Sequence, residues 1–472
     1  MSLFSPSVLF RKKNPNINET QTKLLPCLSA WDLTFLGIGA IIGTGIFVLT
    51  GHAAAEQSGP AVVLSFVVSG LACAFAALAY AELSASVGGC GSAYGYSYAA
   101  FGELIAWIIG WDLILEYGVS VAAVANGWSG YFTTGLSAIG INLPDILTKG
   151  PAAGGVVNLP AAAIILVLML LLLQGVKSSA RLNGAMVFIK LITIAVFVGV
   201  ASMHLKPELW HPFTPFGWFD TLPDGKTVGV LAGASVVFFA YVGFDAVSTS
   251  VEEAKNPQRD VPIGILASLA FCTVIYIVVS GLLTGIVSYK DLNVSSPVAF
   301  ALEQIGINWA AALVSTGVIT GLTTVMLVLY YGLTRIIFAM SRDGLLPPAF
   351  SEVSEDKHVP ARTTTICGIV MATMAGVVPF HALAELVNIG TLAAFVLVCA
   401  GVIMLRIKQP EMHRPFKAPF GLLIPILGIL SCGALIAFLP LVTHLRFILW
   451  LLVGMVVYWS YSVKHSHAAR KV

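Results

Sequence analysis

The sequence predicts an all-α integral membrane protein of about twelve transmembrane helices, and three observations carry that reading. Hydrophobic residues make up 57% of the 472-residue chain and charged ones only 10%, against roughly 25% charged in a soluble domain. A soluble protein so composed has too few polar groups to cover its surface. Apolar runs of about 20 residues, the length that crosses the hydrocarbon, recur through most of the chain. None alternates with period two, and in lipid only helices or closed barrels satisfy their own backbone, so the runs read as helices.

Taken in order, the runs place spans at 31–54, 61–84, 104–131, 159–176, 184–204, 228–251, 264–288, 308–338, 363–380, 386–405, 420–440 and 444–463. With the N-terminus inside, nineteen Lys and Arg residues fall in cytoplasmic segments. Only Lys149, Lys206, Lys226, Lys290 and Arg446 fall outside. Basic residues mark the cytoplasmic side, so residues 1–30 and the tail 464–472 are both expected there, in a multi-pass protein of the cell (inner or plasma) membrane. The polar N-terminus has no signal-peptide core.

The same composition excludes other classes. A net charge of +2 without a basic patch does not suggest a nucleic-acid partner. The seven cysteines lie singly, with no C-x-x-C pair, so no metal or redox site is expected. The nine histidines are scattered without an H-x-x-x-H pattern. An enzyme or a cofactor is therefore not expected, and no ring-forming filter motif suggests a channel. A membrane sensor that binds a small ligand without moving it stays open.

Two spans carry irregular signals. Span 1 holds four glycines in nine residues, Gly37, Gly39, Gly43 and Gly45. The Gly43-Thr44-Gly45 step leaves helical geometry at little steric cost and lies ~16 Å beyond Asp32 at 1.5 Å per residue. Span 6 clusters aromatics beside a glycine at the matching depth from its own end: Phe238, Phe239, Ala240, Tyr241, Val242, Gly243. Paired interrupted helices in corresponding positions of two halves point to a transporter site at the bilayer midplane, although glycines in membrane helices also serve as plain packing seams. An unwound helix frees N–H groups at one half-helix start and C=O groups at the other half's end. Amides around Thr44 and Gly45 would then hold a carboxylate, and carbonyls around Phe239 and Ala240 an ammonium.

Charges inside the spans add to this. Lys190 lies ~13 Å past Arg181, deep enough to make snorkelling a stretch. Alternating between charged and neutral forms, it would couple proton movement to a conformational change; held charged, it would occupy the place of a sodium ion. Glu116, near the middle of span 3, reads equally as a cavity ligand or as a hydrogen-bonded structural acid. Thr316, Thr320 and Thr323 share one face of span 8, there to line a cavity or to bond back to their own helix.

The strings GIGAIIGTGIF (37–47), FFAYVGFD (238–245), EEAKNPQRDVPIGI (252–265), SRDGLLP (341–347) and RPFKAP (414–419), in this order on a twelve-helix chain, resemble the amino acid–polyamine–organocation transporter superfamily. Within it the resemblance is to bacterial members of the cationic amino acid transporter group. It implies a LeuT-like fold of two inverted five-span repeats, 31–204 and 228–405, followed by spans 11 and 12 (420–463). It implies that a substrate carboxylate meets Ile42, Gly43, Thr44 and Gly45. The amino group would meet carbonyls of Ile41, Phe239, Ala240 and Val242, with Phe239 or Tyr241 in a gate, and Lys190 would match the span-5 lysine of proton-coupled relatives. The segment 252–265 is expected to be a hinge or gate connection stiffened by Pro257 and Pro262.

Proton-driven symport of an L-amino acid, of small neutral or broad range, follows as the expected activity, with an exchanger or facilitator left open. Small apolar surfaces around Ala240, Gly243 and Leu322 suit alanine or another small neutral residue. A cationic substrate, arginine or lysine, would instead use Glu116. The loop 132–158 has no cysteine, so a disulfide-linked heavy chain is not expected; an accessory subunit stays open.

Overall fold

The computed structural model describes residues 28–87, 93–174, 180–223, 226–354 and 359–467. The N-terminal segment up to residue 27 and the last five residues of the tail lie outside them.

Span 1 is split. Ala30–Ile41 is α-helical, Ile42 turns extended (φ −72°, ψ 99°), and 45–58 resumes with π-helical turns Gly45–Leu49 and Ala54–Ser58 around Thr50–Ala53. Span 2 is Val62–Val87, span 3 Glu103–Ala138, span 4 Leu159–Leu173 and span 5 Ala180–Met203. Span 6 is split as well. Val230–Val237 tightens into the 3-10 turn Phe238–Tyr241, breaks at Val242 and Gly243, and continues as the 3-10 stretch Phe244–Glu253. Then come span 7 (Pro257–Ile286), span 8 (Asn308–Arg342), span 9 (Ala361–Val377), span 10 (Phe380–Lys408), span 11 (Leu423–Ala437) and span 12 (Leu441–Val457). The protein is thus an all-α multi-pass membrane protein. Its β structure among the described residues is one short hairpin, Asp220–Thr221 with Thr227–Val228, and one isolated bridge.

The segment 252–265 differs from expectation. The helix of span 7 starts at Pro257, with Pro262 inside it, so only three residues separate it from span 6. Proline suits the first helical turn because the N–H it lacks would have no partner there.

The start of span 1 is capped locally. The Ser29 amide donates to Asp32 Oδ2 at 2.9 Å and the Asp32 amide to Ser29 Oγ at 3.4 Å, a capping box. Just before it, Leu28 pairs with Ala254 in a parallel bridge: the Leu28 amide donates to Glu253 O (2.9 Å) and the Lys255 amide to Leu28 O (2.8 Å). The entrance of one broken helix is therefore stitched to the exit of the other.

The core lies where spans 1, 2, 3, 6, 7, 8 and 10 pack on one another. Large apolar side chains such as Leu166, Leu170, Leu430, Leu449 and Val456 point outward. Monomeric soluble proteins rarely expose contiguous apolar patches of this extent; here the lipid is the expected neighbour. At the end of span 2, Glu82 is buried. It takes hydrogen bonds from Arg406 (Nε–Oε1 2.9 Å) and the Ala418 amide (2.8 Å), with Arg414 at 3.6 Å. The RPFKAP string is the strap that closes over this carboxylate, its Arg414 also donating to the Leu405 and Gln409 carbonyls.

Candidate functional site

The two breaks meet. A Cβ on Gly45 would run into the Ala240 backbone, 2.8 Å from its nitrogen, and one on Gly243 (φ +113°) would lie 3.0 Å from Ala40 O. Only glycine allows backbones so close, and only glycine takes that φ readily. The Tyr276 hydroxyl of span 7 holds the two ends together, 2.9 Å from Ile41 O and 2.8 Å from Ala240 O. One O–H proton serves both carbonyls, and each keeps acceptor capacity.

Lys190 of span 5 is buried beside the same break. Its Nζ donates to Gly39 O (2.7 Å) and Ile42 O (3.1 Å), and its stem packs on Gly321 of span 8, where a Cβ would lie 2.8 Å from it. Carbonyls at a helix C-terminus attract a cation, and they alone hold this one among the described residues.

Between the breaks lies a small cavity. Span 1 contributes Ala40, Ile41, Gly43, Thr44 and Gly45, and span 6 contributes Phe239 and Val242. Spans 3 and 8 close it with Ser120, Val124, Val325 and Leu329. Because Ile42 ends the first half-helix, the amides after it open a new one and lack intrahelical acceptors. Two hydroxyls on the lining, Thr44 Oγ1 and Ser120 Oγ, are buried without a hydrogen-bond partner. Buried polar groups are nearly always paired, so these two leave acceptor and donor capacity facing the cavity wall. No ionisable side chain is on the lining.

The expected residues divide by their placement. Ile41, Gly43, Thr44, Gly45, Phe239 and Val242 line the cavity. Ile42 and Ala240 stand behind it, their carbonyls taken by Lys190 and Tyr276. Gly243 makes the crossing with Ala40. Tyr241 turns away: its hydroxyl donates to Phe66 O at 2.8 Å and its ring packs on Tyr276, so of the two aromatics only Phe239 is on the lining. Leu322 is buried one turn before Val325 on the same face, outside the lining. Glu116 is buried with Asp112 and Asp245 as neighbours and does not reach the cavity. In that cluster the Tyr117 hydroxyl donates to Asp245 Oδ2 at 3.3 Å. Thr316, Thr320 and Thr323 all bond back to their own helix.

Ser120, Val124, Val325, Leu329 and Ala40 went unread in the sequence. Ser120 had one signal, its place four residues after Glu116 on the same face. The apolar four had none, since a Val facing a cavity and a Val facing lipid look alike.

Comparison with known proteins identifies the family. The family profile described as amino acid permease matches residues 28–460. The chain is 49% identical over 468 residues to the methylthioribose transporter of Bacillus subtilis (strain 168), covering 98% of this chain and 99% of the relative. It is 49% identical over 444 residues to the branched-chain amino acid permease BcaP of the same organism, 93% of each. Cationic amino acid transporter 4 of Homo sapiens is 38% identical over 396 residues, 82% of this chain and 61% of the relative. With broken spans 1 and 6 enclosing a cavity and a family match over nearly its whole length, the chain belongs to the amino acid permease family.

Proposed function

We propose that this protein is a proton-coupled symporter of neutral L-amino acids that works by alternating access. The observation that carries the substrate class is the cavity itself. The start of a half-helix at Gly43–Gly45 lies on one side of it and the helix ends at Ile41 and Phe239 on the other, with two unpaired hydroxyls and apolar walls between them. A zwitterion's carboxylate fits the positive end and its ammonium the negative end. The side chain then rests against Val124, Val325 and Leu329, which favours aliphatic residues over cationic ones: Glu116, the acid a cationic tail would need, lies off the lining. The BcaP relative supports the same preference.

Lys190 is the proton carrier in this reading. Deprotonated, it would release Gly39 and Ile42 and loosen the first half of span 1. Spans 1–5 and 6–10 act as inverted repeats around the breaks, with both termini in the cytoplasm. Methylthioribose, a sugar with neither charge, is the alternative that the equally similar relative raises; it leaves both helix ends without a charged partner.

The test is uptake by proteoliposomes under an inside-alkaline gradient. Leucine, valine, alanine, arginine and methylthioribose are compared. Saturable, gradient-driven accumulation of the aliphatic amino acids is expected. Accumulation of methylthioribose alone, or of arginine alone, would refute the assignment.

A further inference from the structure

Two histidines meet beside the central cavity, one from each of two distant elements. His52 lies in the second half of span 1, about two turns beyond Gly45, and His381 opens span 10 next to Phe380. Their imidazoles are stacked, with centroids 3.7 Å apart and planes 25° from parallel. Phe380 in turn packs edge-on against Phe239 of the cavity lining, centroids 6.3 Å apart. The histidine pair therefore joins span 1 to span 10 next to the wall of the cavity, on its outer side in the orientation proposed above. His381 is exposed and His52 half-buried, so water can bring protons to both.

A hydrogen-bond chain fixes the tautomer of His52. Asn293 Nδ2 donates to Glu56 Oε1 at 3.0 Å, which leaves its Oδ1 facing His52 Nδ1 at 3.1 Å. An amide oxygen only accepts, so Nδ1 carries the hydrogen and Nε2 is the nitrogen that titrates. The charges around the pair come from several elements. Glu56 of span 1 is joined to Lys226, beside the hairpin strand Thr227–Val228, and these two act on both rings with opposite sign. Glu385 follows His381 by one turn on span 10 and shares its small hollow. It accepts from Thr443 Oγ1 at 2.7 Å, and Arg446 of span 12 acts on it. Among the described residues no carboxylate bonds directly to either ring, so two imidazolium charges 3.7 Å apart would repel with little to offset them.

We propose that His52 and His381 form a proton-operated latch on the outer side of the central cavity. With at most one ring charged, the pair stays stacked and holds the second half of span 1 against span 10. With both charged the rings part, and the wall at Phe239 and Phe380 is free to open. An unperturbed imidazole titrates near pH ~6.5, so the latch works in mildly acid surroundings. The parted state binds one proton more than the stacked state, so a fall in pH favours it, by at most about tenfold per pH unit. The acid side that supplies the driving proton thereby also opens the entrance. This is a role separate from that of Lys190, and it rests on the transport reading above.

The test is exchange of labelled for unlabelled L-leucine by proteoliposomes with the same pH on both sides, from pH ~5 to ~8. Equal pH removes the gradient, and Lys190 is the same in every sample. His52→Phe and His381→Phe each keep a ring in the stack and remove one titrating partner. Between pH ~7.5 and ~5.5 the wild type is expected to gain about 3- to 10-fold more rate than either variant. Amide hydrogen exchange of the wild type, corrected for its intrinsic pH dependence, reads the latch without any substitution: peptides covering 45–58 and 380–388 should lose protection at the acid end. Parallel pH profiles in the wild type and both variants overturn the proposal, and so does unchanged protection of these peptides. Absence of exchange by the wild type at every pH would instead refute the transport reading.

Discussion

Gly45 of span 1 lies directly on the backbone of Ala240 of span 6, with no room for a side-chain atom between them. This contact sets how far apart the two broken helices sit, and so the shape of the cavity. Gly43, two residues away, is different: a Cβ there meets nothing closer than 3.8 Å. Gly45→Ala is therefore expected to force the helices apart, at about 1–3 kcal/mol, and to reduce uptake more than tenfold. Gly43→Ala should keep wild-type thermal stability. Uptake and melting temperature of the two purified variants check this, and equal behaviour of both would refute the close contact.

Lys190 bonds to Gly39 and Ile42 and to no acid among the described residues. With one proton per cycle, a gradient of one pH unit supports about tenfold accumulation, since 1.4 kcal/mol is a factor of ten. In Lys190→Met the gradient should no longer drive accumulation, while exchange of labelled for unlabelled amino acid continues. Accumulation that still follows the gradient in this variant would remove Lys190 from the coupling step.

Tyr276 joins the two broken ends by a single hydroxyl. Tyr276→Phe keeps the ring packed on Phe66 and Tyr241 and removes only that link. A hydrogen bond of this kind contributes about 0.5–1.5 kcal/mol net, so turnover is expected to change about 2- to 10-fold with folding retained. Kinetics of uptake at saturating substrate measure it; unchanged kcat and KM would show that the link is idle.

Ser120 and Thr44 present hydroxyls that no group among the described residues uses. Ser120→Ala and Thr44→Val should not lower the melting temperature in the absence of substrate. Each should weaken substrate binding by about 2- to 10-fold, the same net worth of a hydrogen bond. Loss of stability without loss of affinity would mean that the hydroxyls serve the fold.

Glu82, Arg406 and Arg414 form a buried charge cluster. Removing one partner of such a pair leaves an unpaired buried charge and costs about 3–5 kcal/mol. Glu82→Gln, which leaves two guanidinium groups facing a neutral amide, should melt well below the wild type. A melting temperature within a degree of the wild type would refute the structural role of the strap.

The helices were legible because lipid leaves the backbone one economical solution. Wherever about 20 apolar residues follow one another, the N–H and C=O groups must pair within the segment, and all twelve expected spans overlap an observed helix. Span ends were less legible. Pro257 looked like part of a connection because a proline before an apolar run reads as a loop, yet at the first helical turn its missing N–H costs nothing. The break of span 1 was visible because Gly43 lies in it and Gly45 follows two residues later. That of span 6 falls at Val242 and Gly243, just past the aromatics that signalled it.

Sequence by itself determined that the chain is a bundle of membrane helices, two of them interrupted, with a lysine deep inside the fifth. Those properties follow from backbone hydrogen bonding and from glycine, both of which act locally. Only the tertiary structure decided that Phe239 faces the cavity while Tyr241 faces Phe66, that Glu116 sits among acids instead of beside the substrate, and that Ser120, Val325 and Leu329 complete the wall. Which neighbour a side chain meets depends on the rotation and depth of helices brought together from distant parts of the chain. In a span that is apolar on every side, no local pattern encodes that rotation.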